Sequence, residues 1–260
     1  MGTAHSKEHA MSDLILPEPA IATFVHLFKP SMNDKYELTL LIDKKPGTET
    51  VDGVDRTVET SADYRAIQQA VMAAIKQGCT EECGYDPKTK AKFVPFAGKD
   101  PNNPAFVKTL QLPLKDGDTD RFTRGEHNGE LRKDVYPEFA GRYFIRLTTS
   151  KDLAHAQDPE TGAERSLLVD FNTGRPLTMQ QLYAGCWVRA NIWFSPYVVN
   201  GNMGIKAVVN AVVKTGDGTP LFTMEDRDPL KGFNMPAPTA DTGGADTMGD
   251  AFAAMGVGTV

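Results

Sequence analysis

The sequence predicts a β-rich fold of the α+β class, on three observations. Residues 183–214 alternate apolar and polar positions about an Asn200-Gly201 turn, the pattern of a β-hairpin. A complement of 17 Pro and 23 Gly in 260 residues favours many turns over long helices. Only one stretch, residues 60–78, repeats apolar residues at convincing helical spacing.

Residues 1–18 read as a flexible leader, with His5, Lys7, Glu8 and His9 and no periodicity, and Pro17 and Pro19 end it. Residues 20–26 form the first predicted strand, with Ile21, Thr23 and Val25 on one face. After the turn-rich residues 29–33, residues 35–43 alternate so that Tyr36, Leu38, Leu40 and Ile42 point one way, and Lys44-Lys45-Pro46-Gly47 stops the strand. A polar insert, residues 48–59, leads into the helix. There Thr60 with Asp63 caps the start, Tyr64, Ile67, Val71 and Ile75 share a face, and Gly78 closes the end.

In residues 79–138 proline, glycine and charge interrupt every apolar run, which predicts loops with short elements. Residues 141–149 resume as a strand, with Tyr143, Ile145 and Leu147 on one side and Arg142, Phe144 and Arg146 on the other. Residues 165–171 read as another short strand. Thr178 with Gln181 then forms a capping box for one helical turn that Gly185 ends.

The hairpin carries the chemistry. Its first arm places Trp187, Arg189, Asn191 and Trp193 on one face and Cys186, Val188, Ala190, Ile192 and Phe194 on the core face. On the second arm Ile205, Ala207, Val209, Ala211 and Val213 continue the apolar side, while Lys206, Asn210 and Lys214 continue the polar one. Flat rings interleaved with a guanidinium, on a face that a soluble sheet would expose, suit the stacking of nucleobases and the neutralisation of phosphate. Residues 142–146 repeat the arrangement, with Phe144 between two arginines. The candidate nucleic-acid contacts are therefore Trp187, Trp193 and Phe144 as stacking platforms, and Arg142, Arg146, Arg189 and Lys206 as phosphate ligands. Lys44, Lys45, Arg121 and Arg124 are secondary candidates at loop edges. Protein interfaces favour the same residue types, so tryptophans covered by a loop or a dimer contact are the alternative.

A net charge of −6 excludes binding nucleic acid by global attraction and requires a local basic surface. Asp241, Asp246 and Asp250, in a stretch with no Lys or Arg, contribute half of that charge. Three cysteines form no closed disulfide set and point to a reducing compartment, and no run of about 18 apolar residues would span a membrane. Cys79 and Cys83 lack the two further ligands zinc needs. Asp116, Asp118 and Asp120 open like a calcium loop, but Arg121 and His127 hold the positions that require Gly and Glu, leaving an acidic turn solvated by water. With no Gly-rich phosphate loop, nucleophile elbow or zinc-protease helix, and with its histidines scattered, the sequence predicts no catalytic residue, metal or cofactor.

Several segments together resemble a family of bacteriophage-encoded single-stranded DNA-binding proteins with an oligonucleotide/oligosaccharide-binding (OB) fold. They are residues 36–44 (YELTLLIDK) with the helix that follows, residues 113–118 (PLKDGD), Tyr143 after Gly141-Arg142, and residues 182–190 (LYAGCWVRA) followed by Pro196-Tyr197 and residues 204–207 (GIKA). The likeness covers residues 19–222. It implies an OB-fold-like five-stranded barrel with one long helix and extended loops over residues 19–228, followed by a weakly acidic, disordered tail, residues 229–260. It also implies binding of single-stranded DNA without strong sequence preference, protecting it during phage DNA replication, recombination or repair in the cytoplasm of the infected bacterial host. Self-association is expected, with a dimer favoured, as is contact with phage replication or recombination proteins through the tail, although its aspartates are spread rather than clustered. A non-enzymatic phage assembly protein and a recombination annealing protein are the alternatives.

Overall fold

Five strands with aliphatic inward faces pair in a circuit. They are β1 (Ala20–His26), β2 (Tyr36–Asp43), β3 (Arg142–Thr149), β4 (Trp187–Val199) and β5 (Asn202–Gly216). The computed structural model describes residues 13–221 apart from 32–33, 52–53, 60 and 87–88. The tail, the first twelve residues and the Thr60 cap lie outside these residues. β1 pairs antiparallel with β2, and β2 with β3 along its whole length, from Tyr36 opposite Thr149 to Asp43 opposite Arg142. β3 runs parallel to β5 (Leu147 beside Ala207), β5 returns antiparallel to β4, and β4 meets β1 where Trp187 faces Ile21. The order β1-β2-β3-β5-β4 thus closes on itself through two short contacts, the connectivity of a partly open five-stranded OB barrel.

The barrel faces inward on Leu38, Leu40, Ile42, Ile145, Leu147, Val188, Ala190, Ile192, Ile205 and Val209, all buried. Helix α1 (Ala62–Thr80) seals it with Ile67, Val71, Ala74 and Ile75. Ser61 is the N-cap, its Oγ accepting from Tyr64 N at 3.5 Å. Asp63 reaches back instead, accepting from Glu18 N at 2.8 Å and tying the entry of β1 to the helix. Gly78 does not end the helix, which runs on to Thr80. A side chain there would collide with Phe96, whose ring stands 2.6 Å from the position a Cβ would take, so the glycine serves close packing.

Short strands extend the sheet. Leu14–Ile15 pairs with the outer stretch of β4, Leu168–Asp170 runs parallel to β5 beyond the end of β3, and Leu114–Asp116 takes the edge of β3 where β5 has departed. Leu16 is fully buried, so packing begins within the segment expected to be a leader. The insert after β2 pairs Pro46–Val51 with Val54–Glu59. Residues 79–138 hold only short elements, as predicted. The expected strand over residues 165–171 keeps only Leu168–Asp170 beside β5, because Glu164–Arg165 turns away to pair with Ala156–Gln157.

The hairpin turn has φ of 50° at Asn200 and 78° at Gly201, the positive values that a two-residue turn demands and that these residue types tolerate. Along β4 the alternation holds, with Val188, Ala190, Ile192 and Phe194 buried and Trp187, Arg189, Asn191 and Trp193 half-buried. On β5 it does not. Asn191 faces Ala211 but Ile192 faces Val209, so Asn210 is an extra residue and the parity reverses beyond it. Val212 and Lys214 therefore turn inward while Ala211 and Val213 do not. Lys214 is 7% exposed, and its Nζ donates to Gln181 O and pairs with Asp217, both at 2.7 Å.

Candidate nucleic-acid interface

The outer faces of four barrel strands align one residue from each on a single rung. Trp187 stands opposite Ile21, Ile21 opposite Leu41 and Leu41 opposite Phe144. The two aromatic positions singled out in the sequence thus share one row, three interstrand spacings of about 4.8 Å apart. The row is not bare. Phe139, from the 3₁₀ turn Pro137–Phe139, packs edge-on against Phe144 with ring centroids 5.0 Å apart, and Phe24, Tyr136 and Leu221 complete a second apolar cluster. The Arg132 guanidinium lies over the Phe122 and Phe144 rings at 4.4 and 4.8 Å.

Phe144, at 5% exposure, is therefore a core residue and not a stacking platform. Alternation correctly turned it outward from the barrel, but residues 122–139 cover that face. Trp187, at the other end of the row, is only half-buried and keeps a wall open to solvent.

The arginines divide by partner. Arg142 donates through Nε to Asp43 at 2.6 Å and through Nη1 to Glu138 O at 2.8 Å, which holds it in the structure. Arg189 donates to Leu16 O at 2.7 Å and serves the segment that pairs with β4. Arg146 is 60% exposed, its single ion pair among the described residues being Nη2 to Glu37 at 2.6 Å. Trp193 lies opposite Val208, its indole Nε1 buried without a hydrogen-bond partner among the described residues.

Lys206 is exposed on β5 one residue before Ala207, just as Arg146 precedes the paired Leu147 on β3, so the two occupy neighbouring outward positions. Crowding by its neighbours and then the charge of Lys35 lower the Lys206 pKa. Neither lysine has an ion-pair partner among the described residues. Lys35 was not a candidate from the sequence. The signal was available in the register, since the end of β3 returns beside the start of β2, bringing the residue before Tyr36 toward the surface that Arg146 and Lys206 share.

The secondary candidates are largely committed elsewhere. Lys44 bridges Asp116 and Asp118 at 2.7 and 2.8 Å, and Arg121 donates to Gly129 O. Asp120 is held by Lys115 and Arg132 at 3.0 and 2.9 Å. The acidic turn is thus neutralised by protein cations rather than solvated by water alone, and its carboxylates are spent on joining residues 115–120 to β2 and the covering loop. The Lys44 ammonium and then Gly141 N hold the Asp118 pKa below the usual value. Lys45 pairs with Glu18 at 2.8 Å, and Arg124 is exposed. Cys79, Cys83 and Cys186 are free thiols, raised in pKa by burial.

An OB-type barrel with a local basic surface on an acidic chain is the architecture of a nucleic-acid-binding protein. The chain matches the profile of the family described as Enterobacter phage Enc34, ssDNA-binding protein, over residues 18–237, and it belongs to that family. No curated protein matches it. Among solved structures it is similar to the single-stranded DNA-binding protein from bacteriophage Enc34 in complex with ssDNA, at 19% identity over 79% of this chain and 87% of that one, with a TM-score of 0.49. The same phage protein in another structure gives 20% identity over 84% and 88%, with a TM-score of 0.47. Similarity extends to gp2.5, a single-stranded DNA binding protein encoded by bacteriophage T7, at 12% identity over 89% and 99%, with a TM-score of 0.44. Membership rests on the family profile.

Proposed function

We propose that this protein binds single-stranded DNA without strong sequence preference, along a surface running from Arg146, Lys206 and Lys35 to Trp187. Family membership supports the ligand. The observation that carries the surface is the register that sets Lys206 on β5 beside Arg146 on β3, with Lys35 close by: desolvation by its neighbours first and then the charge of Lys35 lower the Lys206 pKa, and neither lysine has an acidic partner among the described residues. A phosphate placed between them would relieve the repulsion and release its counterions. Trp187 supplies a ring for stacking, worth about 1–3 kcal/mol per base engaged.

The role is to hold and protect DNA rather than to change it, during phage replication, recombination or repair in the host cytoplasm. Among the described residues no helix is long and apolar enough to cross a membrane. Self-association as a dimer would cover exposed apolar side chains such as Ile15, Phe171 and Val199. Residues 229–260, outside the described residues, would carry their weakly acidic sequence to protein partners. The test is a mobility-shift titration of an unstructured oligonucleotide, repeated across salt. Binding that weakens steeply as salt rises is expected; failure to bind, or binding indifferent to salt, contradicts the reading.

A further inference from the structure

At the Asp43 end of β2 a cleft of ≈ 460 Å³ opens between the start of α1 and the start of β4. Trp187 and Leu41 wall it, the buried Ser61 and Asp63 form its floor, and Glu18, Asp43 and Lys45 stand around it. Its size falls within the roughly 300–1,000 Å³ of sites that hold small ligands. Resting on the single-strand reading above, we propose that this cleft is a nucleobase pocket. One base of the bound strand stacks on Trp187 and donates its exocyclic amine to the carboxylates, so that cytosine and adenine are preferred over thymine.

The donor and acceptor pattern selects the ligand. Asp63 Oδ1 accepts from Glu18 N at 2.8 Å, Glu18 Oε2 from Lys45 Nζ at 2.8 Å, and Asp43 Oδ1 from Arg142 Nε at 2.6 Å. Among the described residues one oxygen of each carboxylate is engaged, and a carboxylate has about four acceptor positions on two oxygens, which gives each capacity for a further donor. Phosphate, which carries only acceptors and negative charge, is repelled. Lys45 and Arg142 offset most of the charge of the three acids, which favours a neutral donor over a free cation. Cytosine N4 and adenine N6 are such donors, whereas the corresponding atom of thymine is the O4 acceptor. Burial already raises the Asp63 pKa, so a donor reaching that carboxyl would stabilise its ionised form.

The pocket also fits the row of the barrel that leads to it. Trp187 ends the outer rung, and its indole separates the covered cluster around Phe144 from the cleft, so a strand held at Arg146 and Lys206 would meet the cleft after crossing β2 and β1.

The experiment compares the affinity of the full chain for oligodeoxycytidylate and oligothymidylate of equal length at one salt concentration and pH 7.5. About a tenfold preference for the cytosine strand is expected, the discrimination of one hydrogen bond to a charged acceptor. Asp63→Asn, which keeps the oxygen used by Glu18 N but removes the charge, should narrow the gap to about twofold. Trp193→Phe leaves Trp187 as the sole tryptophan. At saturation its emission should be quenched more by cytosine than by thymine strands, a readout that needs no change in the cleft. Equal affinities and equal quenching overturn the pocket while single-strand binding stands. If neither oligonucleotide binds, both readings fall.

Discussion

Leu41 on β2 stands directly opposite Phe144 on β3, in a row that Trp187 begins and Phe139 closes over. This makes the outer face of the barrel a second core at one end and the proposed binding wall, partly open to solvent, at the other. Phe144→Ala should cost about 3–5 kcal/mol of stability, as emptied aromatic core sites do. Trp187→Ala, at a ring that is only partly buried, should cost less and weaken single-strand binding. Urea denaturation beside oligonucleotide titration separates the two effects; an unfolding midpoint for Phe144→Ala equal to that of the unaltered chain would show the cover to be loose.

Arg142 and Arg146 flank Phe144 and should behave differently. Arg142→Gln breaks two short hydrogen bonds, to Asp43 and to Glu138 O, and should lower the midpoint of thermal unfolding. Arg146→Gln removes one ion pair whose arginine is 60% exposed but whose Glu37 carboxylate is only 14% exposed, a loss of about 1 kcal/mol, yet it should flatten the dependence of log affinity on log salt by about 0.7. Thermal scans and binding at four salt concentrations would expose a reversed pattern.

On the proposed surface, Lys206 should give binding an alkaline limit. Its lowered pKa means that, between that pKa and the ordinary 10.5, the folded chain holds fewer protons than the unfolded one. Its contribution to folding stability therefore rises with pH across this window. Binding runs the other way, because phosphate requires the ammonium. Affinity should fall as pH rises through the lowered pKa, before 10.5 is reached, and Lys206→Arg should remove that fall by keeping the charge. Fluorescence titrations from neutral to alkaline pH would decide it.

Gly78→Ala places a methyl group against Phe96 and Pro196 inside the seal between α1 and the barrel. Helix propensity alone would favour alanine. Overpacking should win, with a loss of about 1–3 kcal/mol measured by chemical denaturation. A gain in stability would mean that the Phe96 ring moves aside freely.

Strict alternation made β2 to β4 and the first half of β5 legible, because a side-chain period of two is imposed wherever one face meets a core. In β1 it failed: a register shift between Thr23 and His26, with Phe24 at a φ of 47°, packs Val25 against the barrel core while Ile21 joins the outer cluster, so Ile21, Thr23 and Val25 do not share the expected face. The bulge at Asn210 was not legible: Asn210 also fits the polar face of simple alternation, so the extra residue leaves no mark of its own, yet it turned Lys214 inward. The cover over Phe144 was also hidden. Tyr136, Phe139 and Arg132 belong to segments of four residues or fewer, too short for any periodicity. Arg146, Lys206 and Trp187 were read as exposed from their own strands, whereas Lys35 becomes a neighbour only once β2 and β3 are set in register. The expected leader contained Leu14 and Leu16, apolar positions whose partners lie nearly two hundred residues away on β4.

The most direct test of the proposed binding surface is the salt dependence of oligonucleotide affinity in the Lys35→Gln, Lys206→Gln double variant. If both ammonium groups meet phosphate, the slope of log affinity against log salt should fall by about 1.4, about 0.7 for each lost contact, while thermal stability holds or rises as the like charges are removed. An unchanged slope in a stably folded double variant would contradict the account and place the phosphate contacts on another surface of the barrel.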